Sequence, residues 1–339
     1  MRRNAPVFIL ILMLIAIAAR LIPGARTIDD AFITFRYSAN LLDGLGFVYN
    51  EGVRTLGTTT PFFAGLMTLI GGVLGGRDFP QYALFVSALA DALSAALLYL
   101  IVRRVTNSSL YAALPAALWA ISPMSVTFAV GGMETSVTIL WMMASFAVFI
   151  LADETRAKAL TLGICAALGL LTRVDSALWI APLFGWQLME RVFTRRDRPP
   201  LLRRLPWLTW LSAAAVLLPW VVFSTAYFGS PIPNSVTAKR DAYLIEPFSA
   251  LARLIQAYST PFFEFDAFGS TGAMIGALAY LTLSLFAILY AARHARRLIP
   301  LLLYPWLYFA AFSLLNPLIF RWYLAPPMPA LMLGITLGA

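Results

Sequence analysis

QYALFVSALADALSAALLYLIV, residues 81–102, is an apolar run with a single charge, Asp91. About 20 mainly apolar residues in a helix cross the hydrocarbon core of a bilayer, so this run predicts a membrane-spanning helix. The other apolar stretches of this kind lie at 6–22, 109–128, 135–152, 159–173, 176–193, 205–228, 273–291, 298–318 and 322–339. The sequence therefore predicts an all-α polytopic membrane protein with about ten transmembrane helices.

The composition excludes a large water-soluble enzyme and several kinds of metal site. The chain has 339 residues, of which 60% are hydrophobic and 12% charged, with a mean hydropathy of +0.80. Soluble domains carry about 25% charged residues. Cys165 is the one cysteine and His294 the one histidine, which excludes a disulfide scaffold, a cysteine-built metal site and a histidine-rich metal centre.

The positions of the positive charges predict the orientation in the membrane. A shorter, glycine-containing apolar run at 61–75 is predicted to be a re-entrant or juxtamembrane helix, because the arginine clusters then fall on one side, the cytoplasmic one. The N-terminus is then cytoplasmic, and 23–80 and 229–272 are outer loops of a single domain, 1–339. The basic pI of 9.9 follows from this topology and gives no support for a nucleic-acid partner. The chain ends in an apolar run without a basic anchor, which leaves a missing C-terminal region open.

The first outer loop is predicted to contain an amphipathic helix that begins with two acids, Asp29 and Asp30. Apolar residues then recur at helical spacing, and polar residues occupy a second face. The apolar positions are Ile33, Tyr37 and Leu41, and the polar ones are Arg36, Asn40 and Asp43. Because acids are favourable at the positive end of the helix dipole, the two carboxylates either cap this helix or present a chemical site.

Several fragments of the chain, in order, resemble one family of membrane enzymes. They are DDAFITFRYSANLLDGLGFVYNEGVRTLGTTTP at 29–61, GGMETSV at 131–137, LLTRVDSAL at 170–178, FGSPIPNSVTAK at 228–239 and RWYLAPPMPAL at 321–331. Together they resemble the integral-membrane glycosyltransferases of the GT-C type, nearest the branch that contains the mycobacterial terminal arabinofuranosyltransferases. Two departures are Leu56-Gly57, where family members often carry an acid before the glycine, and Val174-Asp175, where they often carry a proline–acid pair.

The resemblance implies a hexosyl- or pentosyltransferase that uses a polyprenyl-phosphate sugar. Transfer would take place on the outer face of the cytoplasmic membrane, to a glycan, lipid or protein of the cell envelope. The chain has neither a GxGxxG fingerprint nor a P-loop, in keeping with a donor that is not a nucleotide sugar. A phosphate leaving group needs no acid catalyst, so the site needs one base for the acceptor hydroxyl and cations for the departing phosphate.

The resemblance assigns the base to one of Asp29 and Asp30. A neighbouring acid strengthens a carboxylate as a base when both are desolvated. Paired carboxylates also leave a divalent metal open, although no third ligand lies at a dependable spacing.

The remaining site residues are predicted from their charge and from their position at outer turns. Lys239 and Arg240, then Arg321, then Arg173 are the candidates for the donor phosphate; the alternative for each is a side chain that extends to the lipid headgroups. The candidates for substrate binding are Glu134, Arg36, Asn234 and Asp175. Glu134 could instead simply begin the next helix.

Two other functions fit the same sequence pattern. A transporter or flippase for a lipid-linked solute would share the many spans, but such proteins place ionisable residues near the midplane, usually in repeated halves. Asp91 is the one acid well inside a span, which makes it a functional candidate by default. Ser87 and Ser94 lie one turn to either side, so a hydrogen-bonded packing role is at least as well supported. A non-catalytic relative that serves envelope or motility assembly is the third possibility.

Overall fold

The computed structural model describes residues 4–193, 200–234, 246–262 and 269–339, and within these ranges the regular structure is helical. The helices are α1 Ala5–Leu21, α2 Ala31–Leu42, α3 Pro61–Leu74, α4 Phe79–Thr106, α5 Ser109–Ile121, α6 Pro123–Val130, α7 Thr135–Leu151, α8 Arg156–Thr172, α9 Ala177–Phe193, α10 Leu201–Arg204, α11 Trp207–Phe228, α12 Ser249–Ser259, α13 Gly269–His294, α14 Ile299–Leu315 and α15 Met328–Gly338.

Four of the described helices are long and apolar enough to cross a membrane. They are Phe79–Thr106, Trp207–Phe228, Gly269–His294 and Arg296–Leu315, the last of which includes the turn before α14. A fifth candidate is the pair α5 and α6, which is bent by 47° where Pro123 begins a new helix after Ser122. Each predicted span contains a helix, but several are short, so the count of ten stays a prediction.

The run at 322–339 shows why some predicted spans are shorter than expected. It begins with a 3₁₀ turn, Arg321–Leu324, and its helix covers only Met328–Gly338. Pro326 and Pro327 lie between them. Proline has no amide hydrogen and clashes with the preceding turn of a helix, so it separates the two elements.

The amphipathic helix predicted after the acid pair forms as α2, and the short run after it forms as α3. The buried face of α2 packs on α3, where Ser38 Oγ donates to the Ala64 carbonyl at 2.9 Å. The hydroxyls of Thr34 and Thr60 form a hydrogen bond at 3.0 Å. Phe35 of α2 packs with Phe63 and other apolar residues of this region. The first outer loop is therefore a packed structure of two helices.

Asp91 has a different partner from the serines on its own helix. Arg20 Nε donates to Asp91 Oδ2 at 2.9 Å, both side chains are fully buried, and Ser136 Oγ donates to the same oxygen at 3.1 Å. Ser94 instead donates to the carbonyl of Ala90 in its own helix. The expected packing role is present, but the expectation that serines on α4 would supply the hydrogen bonds is corrected: α1 and α7 supply them.

Candidate functional site

The acid pair lies at the start of α2 and is held by backbone hydrogen bonds to the end of α6. The amides of Arg26 and Ile28 donate to the carbonyls of Val130 and Gly131, at 2.9 and 3.0 Å. This pairing places Asp29 beside the turn that leads into α7.

The two carboxylates differ in exposure. Asp29 is exposed and Asp30 is partly buried, and Asp29 Oδ1 accepts from the Asp30 amide at 2.9 Å. Asp30 occupies the N-cap position, but its side chain accepts no capping hydrogen bond from α2. Asp29 is therefore open to its surroundings, whereas Asp30 is only partly so. The alternative interpretation, that the two acids merely cap α2, is not supported by a capping hydrogen bond from the Asp30 side chain.

The turn before α7 packs tightly against the segment that carries the acid pair. Gly132 has a φ of +79°, a conformation that L side chains rarely adopt. A Cβ atom there would lie 3.1 Å from Thr27 Cγ2 and 3.3 Å from Phe35 Cζ. Glycine is required both by the backbone and by the space, so this turn and the start of α2 form one unit.

A buried ionic cluster continues from this turn. Arg173 donates from Nη1 to Glu134 Oε1 at 3.0 Å and forms a bidentate pair with Asp175, from Nε at 2.9 Å and from Nη2 at 2.8 Å. Glu134 and Arg173 are buried and Asp175 is nearly so. We call these three residues the Arg173 cluster. One cation faces two carboxylates, which gives the cluster an excess of negative charge when both acids are ionised.

The electrostatics of the cluster follow from its burial. Burial raises the pKa of Glu134 above its ordinary value, and the charge of Arg173 opposes this rise only in part. Burial acts to lower the pKa of Arg173, but Asp175 and Glu134 together raise it well above the ordinary arginine value. Arg173 therefore stays charged, and burial favours the protonated form of Glu134.

The 321–331 segment contacts the same cluster through aromatic side chains. The Arg173 guanidinium lies over the Tyr323 ring, 4.6 Å from its centroid. The Tyr308 hydroxyl donates to the Tyr323 carbonyl at 2.6 Å and lies 3.3 Å from Asp175 Oδ2. Trp322 packs with the apolar residues around Met133 and α2. Four of the fragments that resemble one family thus meet: the acid pair, the turn before α7, the Arg173 turn and the 321–331 segment.

The remaining fragment, around Pro231 and Asn234, contacts the far end of the first loop. The Asn234 amide donates to the Leu56 carbonyl at 2.9 Å, and Arg54 lies over the Tyr227 ring at 4.6 Å. Tyr37 organises the same stretch, since its hydroxyl donates to the Thr55 carbonyl at 2.7 Å. The loop and the 228–234 segment therefore form one surface.

The predicted substrate residues fall into two groups. Glu134 and Asp175 both contact Arg173, whereas Arg36 is exposed and donates from Nε to the Tyr49 carbonyl at 3.3 Å, and Asn234 contacts the loop. Glu134 stands at the N-cap position of α7, yet its side chain makes no capping hydrogen bond, so its partner is Arg173 rather than the helix start.

The predicted phosphate-binding cations are also divided. Arg321 is exposed at the start of its 3₁₀ turn, and Arg173 is buried between two carboxylates rather than extended to the headgroups. Lys239 and Arg240 lie outside the described residues. Within the described ranges, no three His, Cys, Asp or Glu side chains gather as a metal site would require.

Sequence reasoning missed two partners in this region. Tyr323 packs on Arg173 and Tyr308 contacts Asp175, although neither tyrosine was among the candidate site residues. An aromatic residue near a helix end gives the same sequence signal whether it faces lipid or a buried cation, so the pattern held no information that separates them.

Comparison with known proteins gives one family match and one similar structure. A family model described as dolichyl-phosphate-mannose-protein mannosyltransferase matches residues 58–223. ArnT from Cupriavidus metallidurans is similar in structure: its undecaprenyl-phosphate-bound form gives a TM-score of 0.67 at 17% identity, and its apo form gives 0.64 at 17%. None of the curated proteins matches the chain in sequence.

The two ArnT alignments each cover 98% of this chain and, respectively, 59% and 58% of the ArnT chain, so this chain spans about three fifths of the length of ArnT. At this identity the likeness shows the fold. The chain is a multi-pass membrane protein with the helical fold of ArnT, and the predicted all-α polytopic architecture is confirmed. The arabinofuranosyltransferase branch stays a prediction.

Proposed function

We propose that this chain is a glycosyltransferase that takes a sugar from a polyprenyl-phosphate donor and transfers it to an acceptor hydroxyl of the cell envelope. The observation that carries the proposal is the fixed position of Asp29 and Asp30. The backbone before them pairs with Val130 and Gly131, next to the Arg173 cluster, while Asp29 remains exposed. The fold shared with ArnT, which was solved with undecaprenyl phosphate bound, and the matching family model support the same chemistry.

The reaction would need only a base and cations from the protein. One carboxylate of the acid pair accepts the proton of the acceptor hydroxyl as its oxygen attacks the anomeric carbon of the donor. The bond from that carbon to the phosphate oxygen breaks, and the electron pair leaves with the polyprenyl phosphate. Arg321, together with Lys239 and Arg240, would stabilise this departing anion by charge-assisted hydrogen bonds.

The Arg173 cluster would position the site. Arg173 is a candidate for the phosphate, but two carboxylates already hold its guanidinium, so we assign it to fixing the turn beside the acid pair. Arg36 and Asn234, on the surface shared by the first loop and the 228–234 segment, are proposed to contact the acceptor or the donor sugar.

The location of the reaction and the identity of the sugar complete the proposal. Transfer takes place on the outer face of the membrane, because the acid pair belongs to the first outer loop of the topology that the arginine clusters predict. Both a lipid-linked hexose and a lipid-linked pentose are compatible with this chemistry, and the test below includes both.

The structure gives the transporter alternative little support. A transporter would use the one acid inside a span to contact its cargo. Asp91 instead pairs with Arg20, and both side chains are fully buried. A buried ion pair of this kind fits a structural role better than a transport path.

The test compares Asp29→Asn and Asp30→Asn with Asp43→Asn, an acid at the other end of α2 whose carboxylate pairs with Arg77. Membranes with equal protein levels receive radiolabelled polyprenyl-phosphate hexose or pentose. Because general-base catalysis contributes about 10²–10⁴-fold, we expect at least one of the first two variants to lose transfer by roughly that factor while Asp43→Asn retains it. Full transfer in both Asp29→Asn and Asp30→Asn would show that neither carboxylate is the base. A wild-type chain that transfers neither sugar would favour the non-catalytic relative.

A further inference from the structure

A cavity of about 750 Å³ lies at the end of the helix bundle opposite the acid pair. Phe149, near the end of α7, and Lys158, in the first turn of α8, line it, whereas the Arg173 cluster lies at the other ends of these two helices. Each helix has 17 residues, which corresponds to about 25 Å. The cavity is therefore separate from the proposed glycosyltransferase site, and its volume is in the range of about 300–1,000 Å³ typical of ligand sites.

The charges that line the cavity are mainly positive. The cations are Lys158, Arg191, Arg296 and Arg297, and the acids are Glu154 and Glu190. The surplus of cations gives the cavity a positive potential that an anionic group would compensate.

Two of these cations are engaged by the two acids. Lys158 Nζ donates to Glu154 at 2.7 Å and to the carbonyls of Phe149 and Ala152 at 2.9 and 3.0 Å, which occupies its three donors. Arg297 pairs with Glu190 and with Glu154, each at 3.0 Å. Arg296, in the turn before α14, donates from Nε to the Ala292 carbonyl at 3.2 Å, and Arg191, at the end of α9, acts on Glu154 electrostatically. Because a carbonyl does not neutralise a cation and two acids face four cations, the surplus charge lies mainly on these two arginines.

Apolar and aromatic side chains line the rest of the cavity. They are Phe149, Trp186, Met189, Phe193 and Ile299. Phe193 is exposed at the end of α9, where it presents an apolar surface next to the surplus arginines. An apolar wall beside a positive mouth suits an amphiphile better than a free ion, because both parts of the molecule find a matching surface.

We infer that this cavity binds the anionic headgroup of a membrane phospholipid, with Arg191 and Arg296 contacting the phosphate and Phe193 and Ile299 contacting the acyl chains. Basic pockets between transmembrane helices bind anionic lipid headgroups in this way. The inference does not depend on the glycosyltransferase proposal, because it concerns other residues at the other ends of the helices.

The test measures lipid binding to the purified protein in an uncharged detergent. Native mass spectrometry records the bound molecules after addition of phosphatidylglycerol, phosphatidylcholine or inorganic phosphate alone. The double variant Arg191→Gln/Arg296→Gln is compared with Arg104→Gln, which removes an exposed arginine at the end of α4, outside the cavity lining.

We expect one phosphatidylglycerol to remain bound to the wild type and to Arg104→Gln, and the double variant to bind it roughly 30-fold more weakly, as two lost surface charges imply. Phosphatidylcholine should bind much more weakly to the wild type. Equal retention of the two lipids by the wild type would overturn the inference without any variant, and so would equal losses in Arg104→Gln and the double variant. Binding of inorganic phosphate as tight as that of phosphatidylglycerol would assign the cavity to a free anion instead.

Discussion

Glu134 and Arg173 lie 39 residues apart in the sequence and form an ion pair at 3.0 Å in which both side chains are buried. Glu134 directly follows the turn that packs on the start of α2, and Arg173 also holds Asp175. The pair thus connects the acid pair to the turn between α8 and α9. Burying charges is costly unless they are paired, so the loss of either partner should have a measurable and unequal effect.

Arg173→Gln should destabilise the protein much more than Glu134→Gln. The first change leaves Glu134 and Asp175 as two buried carboxylates without their cation, which costs about 3–5 kcal/mol. The second leaves the bidentate pair of Arg173 with Asp175 intact and should cost less than about 1 kcal/mol. The midpoint temperature of thermal unfolding in detergent measures both. Equal losses of midpoint temperature in the two variants would contradict the view that Arg173 compensates both carboxylates.

Glu134 should also make stability depend on pH. Burial raises its pKa above the ordinary value of 4.5. A carboxyl whose pKa is higher in the folded state contributes its full stability below the unfolded value, and this contribution is lost as the pH rises through the folded pKa. From about pH 4 to pH 8, the unfolding temperature of the wild type should therefore fall relative to that of Glu134→Gln, which has no such titration. A difference that is constant with pH would contradict the prediction.

The sequence predicted the parts of this site that depend on local pattern. The helical spacing of Ile33, Tyr37 and Leu41 located α2, and the glycine-containing run after Pro61 located α3. The first is recognisable because its apolar and polar faces recur at helical spacing, and the second because a short apolar run lies between Pro61 and Gly76. The apolar runs likewise predicted that the chain is all-α.

Partners across the chain could not be predicted in the same way. The sequence associated Asp91 with its neighbouring serines, yet Asp91 pairs with Arg20 across α1 and α4. The identity of a partner 71 residues away depends on how the helices pack, and one sequence contains no signal for it. The same reason explains why the Arg173 cluster was predicted as separate residues rather than as one unit.

The Arg20–Asp91 pair should tolerate joint replacement better than single replacement. Arg20→Met leaves the buried Asp91 without its cation, and Asp91→Leu leaves Arg20 without its anion, so each should lose about 3–5 kcal/mol. Arg20→Met/Asp91→Leu removes both charges and should lose less than either single variant. A double-mutant cycle on unfolding temperature measures the coupling. Additive losses would show that the two charges act independently.

Gly132→Ala should impair transfer, whereas Gly44→Ala should not. Both glycines have positive φ, +79° and +75°, so both substitutions incur a backbone cost of about 1–2 kcal/mol. A Cβ at Gly132 would also press on Thr27 and Phe35 beside the acid pair, whereas one at Gly44 meets open space. We therefore expect Gly132→Ala to lose more transfer per folded protein than Gly44→Ala, measured in membranes with equal protein levels. Equal transfer in the two variants would show that the turn at Gly132 does not support the site at the acid pair.

Arg321 should act on the donor rather than on the acceptor. Its side chain is exposed in the segment that packs on the Arg173 cluster through Tyr323, a suitable position for contact with a lipid-linked phosphate. Because a hydrogen bond to a charged group contributes about 1.5–3 kcal/mol, Arg321→Gln should raise the KM for the polyprenyl-phosphate sugar by roughly tenfold or more. Arg321→Lys should recover part of this loss, since it keeps the charge but not the planar fork.

The control for Arg321 is Arg77→Gln, which removes an exposed cation of the first loop whose partner is Asp43. It should leave the donor KM unchanged, because Arg77 is engaged away from the Arg173 cluster. Initial rates at varied donor and fixed acceptor concentrations distinguish the two variants. If both raise the KM for the donor to the same extent, the effect comes from the overall charge of the outer surface, and Arg321 does not contact the phosphate.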